Sequence, residues 1–462
     1  MRRIPRDRRA AGRLVEGAGR LIRDGASHVQ RRRLLGCGAP GLTALVSRSS
    51  MVIARLLGCA LAAATLASCS DPDSIIETRY GAYEGDAYPD RRPEITIPDG
   101  GMGVVTDSLS DTISLIALAT GERFGVRPVG RDPVTIDGPR RVAVDAAGGA
   151  LYIALSYPSL DEATGPHAVH GGSAVAGYVQ KLALDDLRML GQVRVEANPG
   201  DIAISEDGGR VVVSHFDLRR ALENPEDLEA ARSSIAVVDP GAVLPRGSAE
   251  PTLIPVCKAA HGIALSRPDG ARAYVACYGD DALAIVDLTD PDAEVKLVPV
   301  GPPLSAGDHA SSYGPYAVVM SPDQKTIAVS NTESREVRFF DVASGMFDES
   351  RTILTIGAPY VGAWTADGSV LYVPTQVPDT IARIGMTPDD SDAFSRNISG
   401  ECLRPHLASL DEEHGLFIVC EGDRTVTPGK VLRLDPETLE TRSEAEVGLY
   451  PDAFARVAAG AR

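Results

Sequence analysis

The chain has 462 residues, with 63 Asp and Glu against 46 Lys and Arg, and a formal net charge of −17. This acidic balance argues against a nucleic-acid partner and against a polybasic membrane-surface protein, because both depend on clustered Lys and Arg. Hydrophobic residues make up 44% and charged residues 24% of the chain, as in ordinary folded proteins. Length alone allows roughly two to four domains, or a single large β-domain.

The charge is unevenly distributed along the chain. Residues 1–68 contain 13 Arg and three acidic residues, a surplus of ten positive charges, which leaves −27 for the remaining 394 residues. A basic leader therefore precedes an acidic body.

The segment from Met51 has the features of an export signal. It runs MVIARLLGCALAAATLASC, and its apolar run after Arg55 is too short to span a hydrocarbon core of about 30 Å. Its end, Leu66-Ala67-Ser68-Cys69, resembles the bacterial lipobox. That resemblance implies cleavage before Cys69, lipidation of Cys69 and membrane attachment through the lipid alone. A plain secretory signal is the alternative. Ser70 favours an outer-membrane lipoprotein that faces the periplasm or the cell surface.

Two starts are compatible with this signal. Translation from Met51 would make residues 1–50 an artefact of the assigned gene start, whereas translation from Met1 would make residues 31–35 (RRRLL) a twin-arginine signal. In either case we assign residues 1–68 to the N-terminal extension and signal peptide. Residues 69–100 are polar, acidic and rich in Pro and Gly, which predicts a flexible tether. Residues 101–462 form the folded body.

The body is built from a repeated unit. Each unit has an anchor, an apolar triplet, a turn, and an apolar strand that ends in polar residues. The anchors are Pro139, Pro199, Ala260, Pro315, Pro359, Pro405 and Pro451. Turns such as Glu206-Asp207-Gly208-Gly209 separate β-branched runs, so each unit predicts a β-hairpin. With a third and a fourth strand, each unit of about 45–50 residues predicts one propeller blade.

The two ends of the body complement each other. The first unit, residues 101–118, begins without an anchor strand, and the last, residues 451–460, is an anchor strand without a second strand. Joined, they form one composite blade and leave no open sheet edge. The sequence therefore predicts an all-β, seven-bladed β-propeller closed by its N- and C-terminal strands.

Three segments carry a family resemblance. Residues 273–288 (AYVACYGDDALAIVDL), 327–342 (IAVSNTESREVRFFDV) and 104–118 resemble the YVTN repeats of secreted and periplasmic propellers. Those repeats also resemble blades of lactonase-like and cytochrome-d1-like proteins. The resemblance implies the fold, but one propeller scaffold serves binding proteins and several enzymes. The chain has no CxxCH motif, which excludes a c-type cytochrome.

Four cysteines remain in the body. Cys257 and Cys402 each lie three residues before an anchor, and Cys277 and Cys420 each end a second strand. These positions share one face of a meander, which predicts disulfides Cys257–Cys277 and Cys402–Cys420. Free buried thiols and a Cys₄ zinc site are the alternatives. Disulfides fit an exported protein.

The same face carries most histidines and the residue that follows each anchor. Candidate metal ligands there are His215, His261, His309 and His406. Candidate ligand-binding residues at the channel mouth are Arg140, Tyr316, Tyr360 and Asp452. Imidazoles beside carboxylates can hold a transition metal or transfer protons. A solvated polar mouth or a partner-binding face is the alternative, and no HExxH, GxSxG or P-loop spacing selects a reaction.

The segment from His215 to Ser234 predicts a short helix, either over the channel mouth or packed on its rim. We expect an exported lipoprotein whose propeller is a binding platform for a protein, a glycan or a small molecule. The alternative is a lactonase-like hydrolase or a metal-dependent enzyme that uses the same mouth. No cofactor can be named from the sequence.

Overall fold

The computed structural model describes residues 92–131, 134–159, 168–243, 250–303, 312–386 and 393–461. The predictions for the signal peptide, Cys69, most of the tether and His309 lie outside these ranges. Within them, no helix is long and apolar enough to cross a membrane.

The described residues form seven antiparallel sheets arranged as a seven-bladed β-propeller, which confirms the predicted fold class. Blade 1 consists of β29 (Pro451–Val457), β1 (Met102–Asp107), β2 (Thr112–Ala117) and β3 (Arg123–Pro128). Blade 2 consists of β4 (Pro139–Asp145), β5 (Ala150–Leu155), β6 (Ala176–Ala183) and β7 (Met189–Ala197). Blade 3 consists of β8 (Pro199–Ile204), β9 (Val211–His215), β10 (Ser233–Val238) and β11 (Thr252–Cys257).

The remaining four blades have the same order from axis to periphery. Blade 4 consists of β12 (Ala260–Leu265), β13 (Arg272–Cys277), β14 (Ala282–Asp287) and β15 (Lys296–Pro299). Blade 5 consists of β16 (Pro315–Met320), β17 (Thr326–Asn331), β18 (Glu336–Asp341) and β19 (Met346–Leu354). Blade 6 has a divided first strand, β20 (Ala358–Pro359) and β21 (Ala363–Trp364), then β22 (Val370–Gln376), β23 (Thr380–Gly385) and β24 (Ala393–Asn397). Blade 7 consists of β25 (Pro405–Asp411), β26 (Gly415–Cys420), β27 (Lys430–Leu434) and β28 (Thr441–Glu446).

The hairpin turns form by local side-chain chemistry. In blade 3 the Asp207 carboxylate accepts hydrogen bonds from the Ser205 hydroxyl at 2.6 Å and from the Gly209 amide at 2.9 Å. Gly208 has a φ of +70°, a left-handed conformation that glycine adopts without steric cost. The turn therefore reverses the chain between two strands that are rich in β-branched residues.

The second strand of each blade is almost entirely buried because sheets pack on both of its faces. All six residues of β5 are buried, as are those of β26. The core is a series of clusters between neighbouring blades, such as the one that joins Ile235 of blade 3 to Val275 of blade 4. This double-sided packing explains why the sequence shows continuous apolar runs rather than strict alternation.

Blade 1 closes the ring as predicted. Strand β29 pairs antiparallel with β1, with Val104 opposite Ala455 and Met102 opposite Val457. The Gly448 amide also donates to the Asp107 carboxylate at 2.9 Å. The C-terminal strand thus lies at the axis and holds the first blade together.

Both predicted disulfides are present. Cys257 bonds to Cys277 and Cys402 bonds to Cys420, with Cα–Cα distances of 5.8 and 5.4 Å. Cys257 ends the last strand of blade 3, whereas Cys277 ends the second strand of blade 4. The repeat spacing predicts both partners in one blade, but this disulfide joins two neighbouring blades.

Two short helices interrupt the blades in the described ranges. Helix α1 (Ala168–Gly171) lies in the insertion of blade 2, and helix α2 (Leu218–Glu223) follows β9 in blade 3. Asp217 caps α2 by accepting a hydrogen bond from the Arg220 amide at 2.9 Å. The helix predicted after His215 is therefore present, though short. Residues Tyr278–Asp280 form a 3₁₀ turn.

Candidate functional site

The site forms at the second position of each first strand. Strand registers shift at this position in the blades where the first strand is continuous, for example between Pro139 and Arg141 in blade 2. In blade 6 the first strand is divided after Pro359. A β-bulge re-aims the extra residue, so the side chain after each anchor leaves the sheet face. We call the set of residues at this position the axial ring: Arg140, Gly200, His261, Tyr316, Tyr360, His406 and Asp452.

Four members of the axial ring are connected by polar contacts in one circuit. Arg140 Nε donates to Asp452 Oδ2 at 3.0 Å, and Arg140 Nη2 lies 3.2 Å from the Tyr316 hydroxyl. The Tyr316 hydroxyl is 3.2 Å from His406 Nε2. His406 Nδ1 lies 3.0 Å from Asp452 Oδ1, which completes a circuit across the axis. Side chains from blades 1, 2, 5 and 7 thus share one polar network.

His261 joins this network in a defined tautomer. Arg140 Nη2 lies 2.9 Å from His261 Nε2, and an arginine nitrogen can only donate. His261 Nδ1 therefore carries the proton and donates to the Tyr316 carbonyl at 2.8 Å. Gly200 lies between Arg140 and His261 in the order of the ring and supplies no side chain.

The aromatic side chains of the axial ring pack against one another. His261 stacks on Tyr316 with ring centroids 3.8 Å apart. Tyr360 makes edge contacts with Tyr316 at 5.2 Å and with His406 at 5.1 Å. Burial raises the pKa of Tyr316 to about 12, so its hydroxyl stays protonated at neutral pH.

A second layer of charges surrounds the ring. Arg141 approaches both Asp452 and Asp201 at 3.7 Å, and Glu421 lies 3.3 Å from His406 Nδ1. Burial alone would raise the pKa of Asp452, but the charges of Arg141 and Arg140, together with the contact from His406, outweigh it and hold this pKa well below its usual range. The ring therefore contains an ionised carboxylate between two arginines.

The ring is closed to solvent at its own end. Arg140, His261, Tyr316, Tyr360, His406 and Asp452 are each at most 3% exposed. Phe216, the first residue after β9, is fully buried and packs edge-on against His261 at 4.7 Å. No sequence pattern predicts this contact, because Phe216 opens an insertion that does not recur in the other blades.

The predicted histidines separate into two groups. His261 and His406 meet in the ring through Tyr316. His215 instead has Nδ1 2.8 Å from the Ser234 carbonyl and 3.8 Å from Glu196, so it belongs to the polar contacts of blade 3. His309 lies outside the described residues. Within the described ranges no group of three or more His, Cys, Asp or Glu side chains is placed to hold a metal ion, and metal binding by these histidines stays a prediction.

His170 and Tyr450 adjoin the ring and were not among the predicted site residues. Their rings stack at 4.8 Å, and Arg424 lies over Tyr450 at 5.1 Å while pairing with Glu421 at 2.8 Å. Burial, together with the charge of Arg140, lowers the pKa of His170 well below its usual value. His170 is therefore neutral, and its Nε2 has no hydrogen-bond partner among the described residues.

The opposite end of the axis is open. A cavity of about 440 Å³ lies there between the carboxyl ends of β8, β12 and β16. Its lining combines aliphatic side chains, with Ala203, Ile263 and Val318 nearest the ring, and polar groups, with Glu206 and Arg267 at the turns. The repeat pattern predicts a channel mouth only at the histidine-bearing end and does not predict this cavity.

The fold and its axial site define the class of protein: a closed seven-bladed β-propeller. No protein-family model matches the chain, and no curated protein matches it in sequence. Among solved structures it is similar to a candidate 6-phosphogluconolactonase of Bacteroides uniformis, with a TM-score of 0.57 and 14% identity over 78% of this chain and 100% of that one. It is also similar to a periplasmic gluconolactonase, PpgL, of Pseudomonas aeruginosa, with a TM-score of 0.56 and 14% identity over 77% and 99% of the two chains. A functionally unknown protein of Desulfotomaculum acetoxidans has a TM-score of 0.54 at 12% identity, over 78% and 99%. At identities this low, the structural similarity shows a shared fold and nothing more.

Proposed function

We propose that the chain is an exported binding protein and that the axial ring is its ligand site. The observation that carries this proposal is the convergence of six large side chains from six different blades on one point of the axis. A closed propeller needs only apolar packing between blades, so a polar and aromatic cluster at its centre calls for another explanation. Functional residues concentrate where a rigid scaffold presents them.

The ring favours a small, neutral, hydroxylated ligand. Its side chains are too deeply buried for a surface-docked protein to touch, but a small molecule that enters can reach them. Arg140 Nη1 has no hydrogen-bond partner among the described residues, and Asp452 supplies acceptor oxygens. The charges of Arg140 and Asp452 offset each other, and tyrosine faces supply apolar area. Such a mixture suits a molecule with several hydroxyl groups, since a few placed polar groups fix a ligand among apolar walls.

This proposal is tested by a thermal-shift screen of sugars and sugar derivatives against the mature protein. Tyr316→Phe removes the hydroxyl between Arg140 and His406, and we expect it to weaken binding of any hit about tenfold, the value of one hydrogen bond to a charged group. Tyr372→Phe is the matched control, because its hydroxyl donates to the Pro436 carbonyl at 3.0 Å, away from the ring. Equal affinity in both variants would contradict the assignment.

Export is supported by the two disulfides and by the signal sequence before Cys69. We further propose that Cys69 is lipidated and anchors the protein at the outer membrane. Mass spectrometry of the mature N-terminus should find an acylated cysteine, and Cys69→Ser should move the protein from the membrane fraction to the soluble fraction. An unmodified N-terminus at another residue would overturn the lipid anchor but leave the binding proposal intact.

A lactonase-like hydrolase is the second candidate, and one contact favours it. His406 has the Tyr316 hydroxyl at Nε2 and the Asp452 carboxylate at Nδ1. A histidine oriented by a carboxylate can move a proton to or from a hydroxyl at its other nitrogen. The similar Pseudomonas structure is named as a gluconolactonase, so sugar lactones are the first substrates to assay.

The two candidates differ in turnover. A hydrolase should open a sugar lactone at a rate that His406→Ala lowers by about 100-fold or more, the usual contribution of a general acid or base. A binding protein should bind the same compound and return it unchanged. Lactone opening that His406→Ala leaves unaltered would remove the basis for the enzymatic role of this site.

A further inference from the structure

The axial ring is covered by Phe216, the first residue of the insertion that follows β9. Phe216 lies edge-on to His261, to Tyr278 at 5.5 Å and to Tyr316 at 6.0 Å. A β-carbon at Gly200 would lie 3.1 Å from Phe216 Cβ, so Phe216 occupies the gap that Gly200 leaves in the ring. One aromatic side chain thus closes the ring position that has no side chain of its own.

The segment behind Phe216 is weakly held. Helix α2 has no buried residue, and its Leu222 is 79% exposed. Leu218 packs against Gly171 of α1, where a β-carbon would lie 2.8 Å from Leu218 Cδ1. Beyond that contact, the segment is held by Arg220, which pairs with Glu196 at 3.1 Å, and at its two ends by the buried Asp217 and Ala231.

Arg220 acts as a strap between the helix and the blade. Besides Glu196 on β7, it donates from Nη1 to the Arg232 carbonyl at 3.0 Å. Glu196 belongs to the neighbouring blade 2, whereas Arg232 ends the insertion itself, just before the chain enters β10. Segments with few buried contacts open locally at low free-energy cost, whereas the strands on either side do not.

We infer that residues 216–232 form a gate, with Phe216 as the plug and the Arg220–Glu196 pair as the strap, that admits small molecules to the axial ring. This inference rests on the proposed function, because it assigns how the same site is reached. When the segment swings away from the axis, Phe216 leaves the space above Gly200. Arg140 and His261 then face solvent through an opening about the size of one phenyl ring.

The gate is tested without any ligand, by the rate at which diethylpyrocarbonate modifies each histidine of the mature protein, mapped by peptide mass spectrometry. Arg220→Ala releases the strap and should raise the modification rate of His261 and His406 about three- to fivefold, the effect of losing a partly exposed ion pair. Phe216→Ala should raise it more than about tenfold, because the plug itself is gone. Arg219→Ala is the matched control on the same helix, since it removes the Arg219–Glu223 pair and a 3.9 Å contact with Asp217 but leaves the Arg220–Glu196 pair in place.

His414 provides the internal control at the opposite end of the axis, where it contacts Asp411. In a true gate its rate stays at the wild-type value in every variant. Ring histidines that react in Arg220→Ala no faster than in Arg219→Ala would overturn the gate. A rate for His414 that rises with that of His261 would also overturn it, by showing global loosening. A gate that opens while no ligand binds would instead count against the proposed function.

Discussion

The two ends of the propeller axis differ although the same first strands build both. At the ring end, large polar and aromatic side chains from six blades meet and exclude solvent. At the opposite end, the same strands present Ala203, Ile263 and Val318 around a cavity of about 440 Å³. The difference comes from one position per strand, where a register shift turns a side chain toward the axis. A propeller can therefore place chemistry at one end without changing its blades.

The largest expected effect comes from removing the ring carboxylate. Asp452→Asn leaves Arg140 and Arg141 without their shared counter-charge in a buried site, and we expect the free energy of unfolding to fall by about 3–5 kcal/mol. Urea denaturation measures this directly. Glu444→Gln, which breaks an exposed pair with Lys430, should cost less than about 1 kcal/mol. Equal losses of unfolding free energy in the two variants would mean that the ring carboxylate stabilises the fold no more than a surface ion pair does.

Both disulfides also lie at the ring end, so we expect them to add to the stability of that end. Replacing Cys257 and Cys277 together by serine should lower the free energy of unfolding by about 3 kcal/mol, since the bond closes a loop of 20 residues. The same holds for Cys402 and Cys420. Non-reduced peptide mapping of the exported protein checks the pairing, and free thiols at these positions would contradict it.

The buried Asp107 carboxyl at the ring end should make the stability of the fold depend on pH. Burial raises its pKa to about 6, against hydrogen bonds from Ser114, Thr112 and Gly448 that lower it. Because this pKa is higher in the folded than in the unfolded state, its stabilising effect is complete below about pH 4 and is lost as the pH rises through 6. We expect a decrease of roughly 2–3 kcal/mol over that range. Asp107→Asn should flatten the profile, and an unchanged profile would exclude Asp107 as the source.

The smallest expected changes in stability come from two substitutions on β8, one near the axial ring and one near the opposite cavity. Gly200→Ala places a β-carbon 3.0 Å from the Ser214 hydroxyl and 3.1 Å from Phe216 Cβ, so we expect a loss of about 1–3 kcal/mol. Ala203→Leu adds three carbons beside the cavity and should cost less than about 1 kcal/mol. Thermal unfolding of both variants gives the order. A larger loss for Ala203→Leu would show that the cavity end is as tightly packed as the ring.

Much of the fold could be predicted because its signals are local. Turns such as Glu206-Asp207-Gly208-Gly209 and the recurring anchors determine the blades, and the incomplete first and last units determine the closure. The convergence of Arg140, Tyr316, Tyr360 and Asp452 followed from the same repeat. Regular spacing places equivalent residues at equivalent heights.

What could not be predicted depends on residues outside the repeat. Phe216 covers the ring because it happens to follow β9, and no spacing rule relates it to Gly200. His215 occupies an equivalent strand end but bonds to Ser234, since the insertion after it brings blade 3 polar groups within reach. The cavity at the opposite end depends on side-chain size at Ala203 and Ala264, which the pattern of apolar residues does not distinguish.

The most direct test of the central claim is where a ligand binds along the axis. Isothermal titration of the best hydroxylated hit should be run on the wild type, on Tyr316→Phe at the ring and on Ala203→Leu in the opposite cavity. We predict about tenfold weaker binding in Tyr316→Phe and wild-type affinity in Ala203→Leu. Wild-type affinity in Tyr316→Phe with lost affinity in Ala203→Leu would place the site at the other end and contradict the account.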